Sequence, residues 1–363
     1  MHLCKRLREL YFLYGFWGTI AVLPAHFKIF LRRHLLREIE LEEFSCTKDN
    51  PIDEHFIERR IAECKSKKLR ITFYVHLIRS LGDIIACEPI PRFLKSLAPN
   101  AKLYWILYGK YKSVVQYNPY IDGIIEVHSL GESSALIHSK EREEGAIAVD
   151  LHLSGLKCIK TGEFHHNYVN PSVNMSNYLQ YGNLLESFSL GAGLPKLKDK
   201  PQFHFAPNVC VPVELPEKYI VFHCKSAMTF KDWSARKWNK LARILMKQGY
   251  KIVEIGENNV IKSHNKFYFD CTTKHDLQTI AKIIEKADFF VGIDSAFAHF
   301  ANCFDKKAVL ILGILPFIKE YNLYSGNYSS ETGNATILFE KGRGSFFVKL
   351  NDVLKVILEK TTP

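Results

Sequence analysis

The chain has 363 residues, 47% of them hydrophobic, which supplies ample material for a buried core and points to two domains rather than one. Its formal net charge of +11 favours an anionic partner, and nucleic acid, an acidic membrane surface and phosphorylated substrates all qualify. Nine cysteines without a CxxC pair argue against a disulfide framework or a cysteine zinc site, and for free thiols in a reducing cytoplasm.

The first fifty residues differ from everything after them. Leu10 to Leu23 reads LYFLYGFWGTIAVL, with Lys5, Arg6 and Arg8 before it and Lys28, Arg32, Arg33 and Arg37 after it. A spanning helix needs about 20 apolar residues, and this run stops at Pro24. Leu23-Pro24-Ala25 is also a poor context for signal cleavage. Two readings stay open: an interfacial anchor whose aromatic residues sit at the headgroups of an anionic bilayer, and a helical extension packed on the protein's own surface. Glu38 to Lys68 is charge-rich and reads as a helix or linker into the first domain.

Ile71 to Ile78, ITFYVHLI, is an apolar run of buried-strand type. KLYWILY and IDGIIEV are further strands, with a short helix from Tyr111 to Asn118 between them, and residues 146 to 153, AIAVDLHL, make another. The pattern then predicts a helix from about Met175 to Leu190, ended by Gly191 and Gly193, with Pro195 blocking continuation. Lys196 to Val213 reads as the link between domains.

The second half alternates more plainly. YIVFHC, KIVEIG and FFVGID are separated by helical patterns and followed by KAVLILG, the signature of parallel strands joined by crossover helices. Trp238, Leu241, Ala242 and Leu245 fall at helical spacing between a candidate N-cap, Ser234, and a candidate terminator, Gly249. Asp276 can cap a second helix whose stripe is Leu277, Ile280, Ala281 and Ile284. The strands end in polar residues: His223, Cys224, Lys225 and Ser226, then Gly256 and Glu257, then Asp294 and Ser295. Ligands of open α/β sheets bind at that carboxyl edge, where helix N-termini supply amides suited to phosphate.

These motifs resemble the nucleotide-binding half of glycosyltransferase family 9, the ADP-heptose:lipopolysaccharide heptosyltransferases. The residues that carry the resemblance are Lys231, Trp233 and Trp238 in KDWSARKW, and Asp294, Ser295, His299 and Ala301 in DSAFAHFA; the Gly82-Asp83 turn after the first strand also agrees. The resemblance runs from about Ile71 to Leu358, weakest between His128 and Pro207. It implies an α/β GT-B fold: a basic, aromatic extension over 1–68, an acceptor-side Rossmann-like domain over 69–207 and a nucleotide-sugar-binding one over 208–363, the last two facing a cleft.

It also implies an inverting transfer of a sugar, heptose by resemblance, from a nucleotide diphosphate to a lipopolysaccharide-core or other anionic glycan acceptor. Asp83 is then the catalytic base, and its alternative is to cap a helix beginning at Ile84. Lys231 is then the cation that offsets the departing diphosphate. Lys225 and Ser226 add donors or merely line a solvated loop. Asp294, Ser295 and Ala296 open a helix whose free amides would hold a phosphate. The family usually has glycine at the position of Ala296. His299 reaches the phosphate or is a core histidine, and Glu257, with Asn259 as its alternative, is placed for ribose hydroxyls.

No Asp-x-Asp pair is present to hold a divalent ion on a diphosphate, and His165 and His166 are adjacent, which is poor spacing for a shared ligand set. The expectation is therefore no cofactor and no metal, with His165 and His166 in an acceptor-side loop. Ile314, Leu315 and Pro316 depart from the family's hydroxyl residue before proline, which bears on the base and ribose contacts. The expected location is cytoplasmic, peripheral on the inner membrane face if the first segment anchors. A non-catalytic sugar-nucleotide or glycolipid binding protein with the same fold is the alternative. Nucleic-acid binding has no recognition motif behind it, and no GxGxxG follows a strand as a dehydrogenase would require.

Overall fold

The computed structural model describes residues 51–156, 164–228, 231–313, 323–329, 333–340 and 344–361. The aromatic and basic stretch from Leu10 to Leu23 and the Ile314-Leu315-Pro316 departure lie outside them. Among the described residues, no helix is long and apolar enough to cross a membrane. The chain divides into two compact units. One takes the described residues up to Ala206 together with 323–329, and the other begins at Pro207 and resumes after Ser330.

In the N-terminal unit, β1 (Thr72–His76), β2 (Lys102–Tyr108), β3 (Gly123–Val127) and β4 (Ala146–Asp150) form one parallel sheet in the order β3-β2-β1-β4. Its strands are rich in Ile, Val, Leu and aromatic residues because a parallel sheet is covered on both faces. Phe73, Val75, Leu103, Trp105 and Val149 are all fully buried. The charge-rich entry segment forms helix α1 (Phe56–Ser66), which buries Ile57, Ile61 and Cys64. It is tied to this unit by the Ile57 amide donating to the Gly193 carbonyl at 3.2 Å.

β1 leads through a short loop into α2 (Leu81–Ala86) and α3 (Pro89–Leu97), where prolines at 89 and 91 occupy the first turn and cost no hydrogen bond. α4 (Lys112–Val115) and α5 (Leu130–Lys140) complete the crossovers, the latter capped by Ser129, whose hydroxyl accepts from the Glu132 amide.

Two expectations for this region are corrected. The helix predicted from Met175 is α6 (Leu184–Gly191). Gly182, at φ +134°, cannot lie in a helix, and Asn183 and Glu186 form a capping box that starts the helix after it. Residues 196 to 206 are also no free link. The Gln202 amide donates to Glu88 at 2.7 Å, and Arg92 donates to the Lys200 carbonyl at 2.6 Å, which straps the segment onto α3.

The C-terminal unit holds β5 (Ile220–His223), β6 (Ile252–Ile255), β7 (Tyr268–Asp270), β8 (Phe289–Ile293), β9 (Ala308–Ile311) and β10 (Ala335–Leu338). All pair in parallel, in the order β10-β9-β8-β5-β6-β7, the doubly wound arrangement of nucleotide-binding sheets. α7 (Ala235–Lys247) and α10 (Leu350–Thr361) pack on the sheet through one cluster that joins Trp238, Leu241 and Leu245 to Phe222, Val291, Ile311 and Ile357. α8 (Leu277–Lys286) and α9 (Ala296–Cys303) pack against each other. Asp276 caps α8 by accepting from the Thr279 amide, and Gly249 takes φ +90° just past α7, both as the sequence predicts.

Candidate functional site

In each sheet the chain reverses direction beside the first strand, and the crevice beyond the strand ends at such a reversal is where open α/β sheets take ligands. In the C-terminal unit the reversal lies between β5 and β8. It gathers His223 at the end of β5, and Asp294 and Ser295 between β8 and α9.

Lys231 comes to the same place. Its ammonium pairs with the Asp294 carboxylate at 2.6 Å, with both side chains largely withdrawn from solvent. The KDWSARKW motif aims it. Trp233 and Trp238 meet edge to face, ring centres 5.0 Å apart, and the Trp233 indole donates to the Val348 carbonyl at 3.0 Å. Ser345 donates to the Asp232 carbonyl at 2.6 Å. The two tryptophans are therefore core groups that fix the backbone around Lys231 and leave only the lysine facing the charged site.

The start of α9 is arranged for an anion. Ser295 occupies the N-cap position in extended conformation, yet its hydroxyl bonds no first-turn amide. It lies 3.0 Å from Nδ1 of His223 instead. A serine at this position normally satisfies an amide of its own helix; here the hydroxyl serves His223 instead, and the positive end of the helix favours negative charge.

His223 is buried, and burial pushes its pKa down to about 3, so it is neutral in this pairing. His299, one turn into α9, is likewise pushed down to about 4 by burial, with Asp294 opposing the shift and Lys231 adding to it. Both of the readings open for His299 fit this position: it is a buried imidazole, and it feels the charges of Asp294 and Lys231.

The other expected donors are more peripheral. Ser226 is engaged with Asp232, its amide donating to Oδ1 at 2.8 Å, and burial raises the Asp232 pKa against that bond and against the charge of Lys225. Lys225 and Glu257 are exposed at the ends of β5 and β6. The loop that carries Glu257 is set by a residue that sequence reasoning missed. Glu254, fully buried, accepts from the Val260 amide at 2.8 Å, the Ile261 amide at 3.1 Å and the Tyr268 hydroxyl at 2.5 Å.

Asp83 belongs to the N-terminal unit, at the third position of α2, which begins at Leu81 rather than at Ile84. It forms a capping box with Ser80, accepting from the Ser80 amide at 3.2 Å and hydroxyl at 2.8 Å. It remains partly exposed at the carboxyl edge of its sheet. Capping and proton transfer use the same carboxylate without conflict, since a carboxylate has acceptor sites to spare.

The reversal in the N-terminal unit lies between β1 and β4, whose last residues, His76 and Asp150, are register partners. The Asp150 carboxylate lies 2.9 Å from Nδ1 of His76 and 2.7 Å from Nε2 of His165. Burial alone would raise its pKa, but the two adjacent histidines more than reverse this and hold it well below the usual carboxylate range. His165 is thus buried in this cluster while His166 is exposed, its ring against Tyr168. The adjacency of the two in sequence concealed that the partners of His165 are His76 and Asp150.

Residues 186–315 match glycosyltransferase family 9 (heptosyltransferase). Lipopolysaccharide heptosyltransferase 3 of Escherichia coli is 21% identical over 279 residues, 65% of this chain and 82% of that protein. Among solved structures, the glycosyl transferase family 9 protein from Veillonella parvula DSM 2008 superposes with a TM-score of 0.57 at 17% identity, covering 80% of this chain and 97% of its own. E. coli heptosyltransferase WaaC with ADP gives 0.56 at 16%, covering 80% of this chain and 100% of its own. The protein is a glycosyltransferase with the GT-B fold. Its likeness is to glycosyltransferase family 9, and it is heptosyltransferase-like.

Proposed function

We propose that the protein transfers a sugar, heptose in the favoured case, from a nucleoside diphosphate donor to a lipopolysaccharide-core or related glycan acceptor, with inversion at the anomeric carbon. The observation that carries this reading is the Lys231–Asp294 pair at the first turn of α9, where the Ser295 hydroxyl turns to His223 rather than to a helix amide. The diphosphate of the donor takes those amides and draws the Lys231 ammonium from Asp294. Asp83 accepts the proton of the attacking acceptor hydroxyl as its oxygen bonds to the anomeric carbon. The bond from that carbon to the diphosphate oxygen breaks, and the leaving group departs with one more negative charge.

Lys231 and the α9 dipole stabilise that charge where it forms, so no divalent ion is needed on the diphosphate. Glu257 and Ser226 serve the ribose and the diphosphate loop, and the reaction takes place at the cytoplasmic face of the inner membrane. A relative supports the donor: E. coli heptosyltransferase WaaC is solved with ADP and, in a second structure, with ADP-2-deoxy-2-fluoro heptose.

The test is a panel of ADP-, UDP-, GDP- and CDP-sugars, read first by thermal shift and then by turnover with a lipopolysaccharide-core acceptor. ADP-heptose is expected to raise the melting point and to be consumed. Asp83→Asn is expected to lose turnover by about 10²–10⁴-fold with donor binding kept. A panel in which no sugar nucleotide binds overturns the reading.

A further inference from the structure

The N-terminal unit holds a cluster that the transfer chemistry does not use. His76, Asp150 and His165 each present a ligand atom, all within 4.8 Å of one another, and both histidines are buried. We propose that these three residues bind a divalent first-row transition metal of the zinc or iron(II) class.

Two observations argue for it. The first is the donor set: two imidazoles and one carboxylate suit zinc and iron(II), whereas magnesium and calcium prefer all-oxygen shells. Metal–ligand bonds of about 2.0–2.2 Å place neighbouring donors roughly 3 Å apart. The histidines lie 2.9 and 2.7 Å from different oxygens of Asp150, so a carboxylate using both oxygens brings the two imidazoles to one ion.

The second is outer support of the kind that metal ligands carry. Nδ1 of His165 lies 3.3 Å from the Ser134 hydroxyl. The His152 amide donates to the Asp150 carboxylate at 3.0 Å, and Asn167 donates to the Asp150 carbonyl at 3.0 Å. These bonds hold the ligands at the sheet's reversal point, the place where such sheets receive ligands.

The site also touches the loop that leads to Asp83. His152, whose ring packs on that of His76 at 4.7 Å, accepts the Ile78 amide through Nε2 at 3.1 Å. A metal in the cluster would therefore stiffen the turn between β1 and α2.

The test uses the full chain with any purification tag removed, stripped by a chelator and titrated with Co²⁺ and with Zn²⁺. Metal per chain is counted by mass spectrometry, and the Co²⁺ complex is read by its visible absorption. One equivalent is expected, bound at least about 10²-fold more weakly in both His165→Ala and Asp150→Asn, and unchanged in His166→Ala. Circular dichroism checks each variant. Should Asp150→Asn not fold, His165→Ala decides alone, since it leaves the His76–Asp150 pair in place. Binding below about one tenth of an equivalent, or undiminished in the His165 variant, overturns the proposal; these thresholds allow for the spread in ligand contributions.

Discussion

The two units share a plan and differ in what they do with it. Each has a parallel sheet that reverses beside its first strand, a histidine ending that strand (His76, His223) and an aspartate at the far side of the reversal (Asp150, Asp294). In the C-terminal unit, the aspartate is matched by a mobile-stemmed cation, Lys231, and a helix starts at once with its hydroxyl cap turned to His223. In the N-terminal unit, the aspartate lies between two imidazoles, and the chain after β4 runs into irregular structure. On the proposed function, the C-terminal crevice exchanges its internal anion for an incoming one. The other encloses its anion among groups that cannot leave.

Experiments can break or sharpen that contrast. The largest effect is expected at Trp238, fully buried beneath α7: Trp238→Ala should cost about 3–5 kcal/mol by the cavity it leaves, measured by denaturant unfolding. Lys231→Met should lower turnover by about 10²–10³-fold through the loss of charge at the leaving group, seen in steady-state kinetics with donor saturating. If turnover falls no further than in Lys225→Met, the contrast between an exchangeable and a fixed anion is lost.

Glu254→Leu should destabilise by about 2–3 kcal/mol, because the Val260 and Ile261 amides lose their acceptor. Thermal melting checks it, with donor affinity falling too if the loop orders Glu257.

A pH series gives a smaller, graded effect. His223 and His299 are pushed down from 6.5 to about 3 and about 4, so the unfolded chain takes up protons that the folded chain refuses. Their stabilising contribution is complete above about pH 6.5 and declines as pH falls toward 4. Melting midpoints should follow that slope, and His223→Gln should flatten it. The smallest change is expected for Ser295→Ala, a few-fold rise in donor KM with turnover near wild type, since one hydroxyl contact contributes about 1 kcal/mol.

Much of the C-terminal unit was legible because its strands are continuous apolar runs closed by polar residues. β7 and β10 were not: Tyr268–Asp270 and Ala335–Leu338 are short edge strands, half-exposed for the most part, without the fully apolar pattern of a central strand. The helix predicted from Met175 failed on one glycine. Apolar spacing continues through Leu179 and Leu184, but Gly182 at φ +134° interrupts the backbone, which periodicity does not register.

Legibility of the site followed sequence distance. Asp294, Ser295 and His299 lie within one turn or two of each other, and Lys231 is marked by its tryptophans. His76 and Asp150 are 74 positions apart and meet only because β1 pairs with β4. Glu254 was hidden for another reason. Inside the run KIVEIG it reads as an interruption of a strand, whereas its carboxylate turns to the backbone of the loop that follows.

The segment 323–329 belongs to the N-terminal unit although the chain has by then laid down most of the other one. Leu323 accepts the Leu184 amide, the Gly326 amide donates to Lys198, and Tyr324 and Tyr328 are buried. On a ribosome, the earlier half must wait for its last piece with those surfaces uncovered. A polypeptide ending at Ala206 would lack the plug altogether and should be more prone to aggregate than the whole chain.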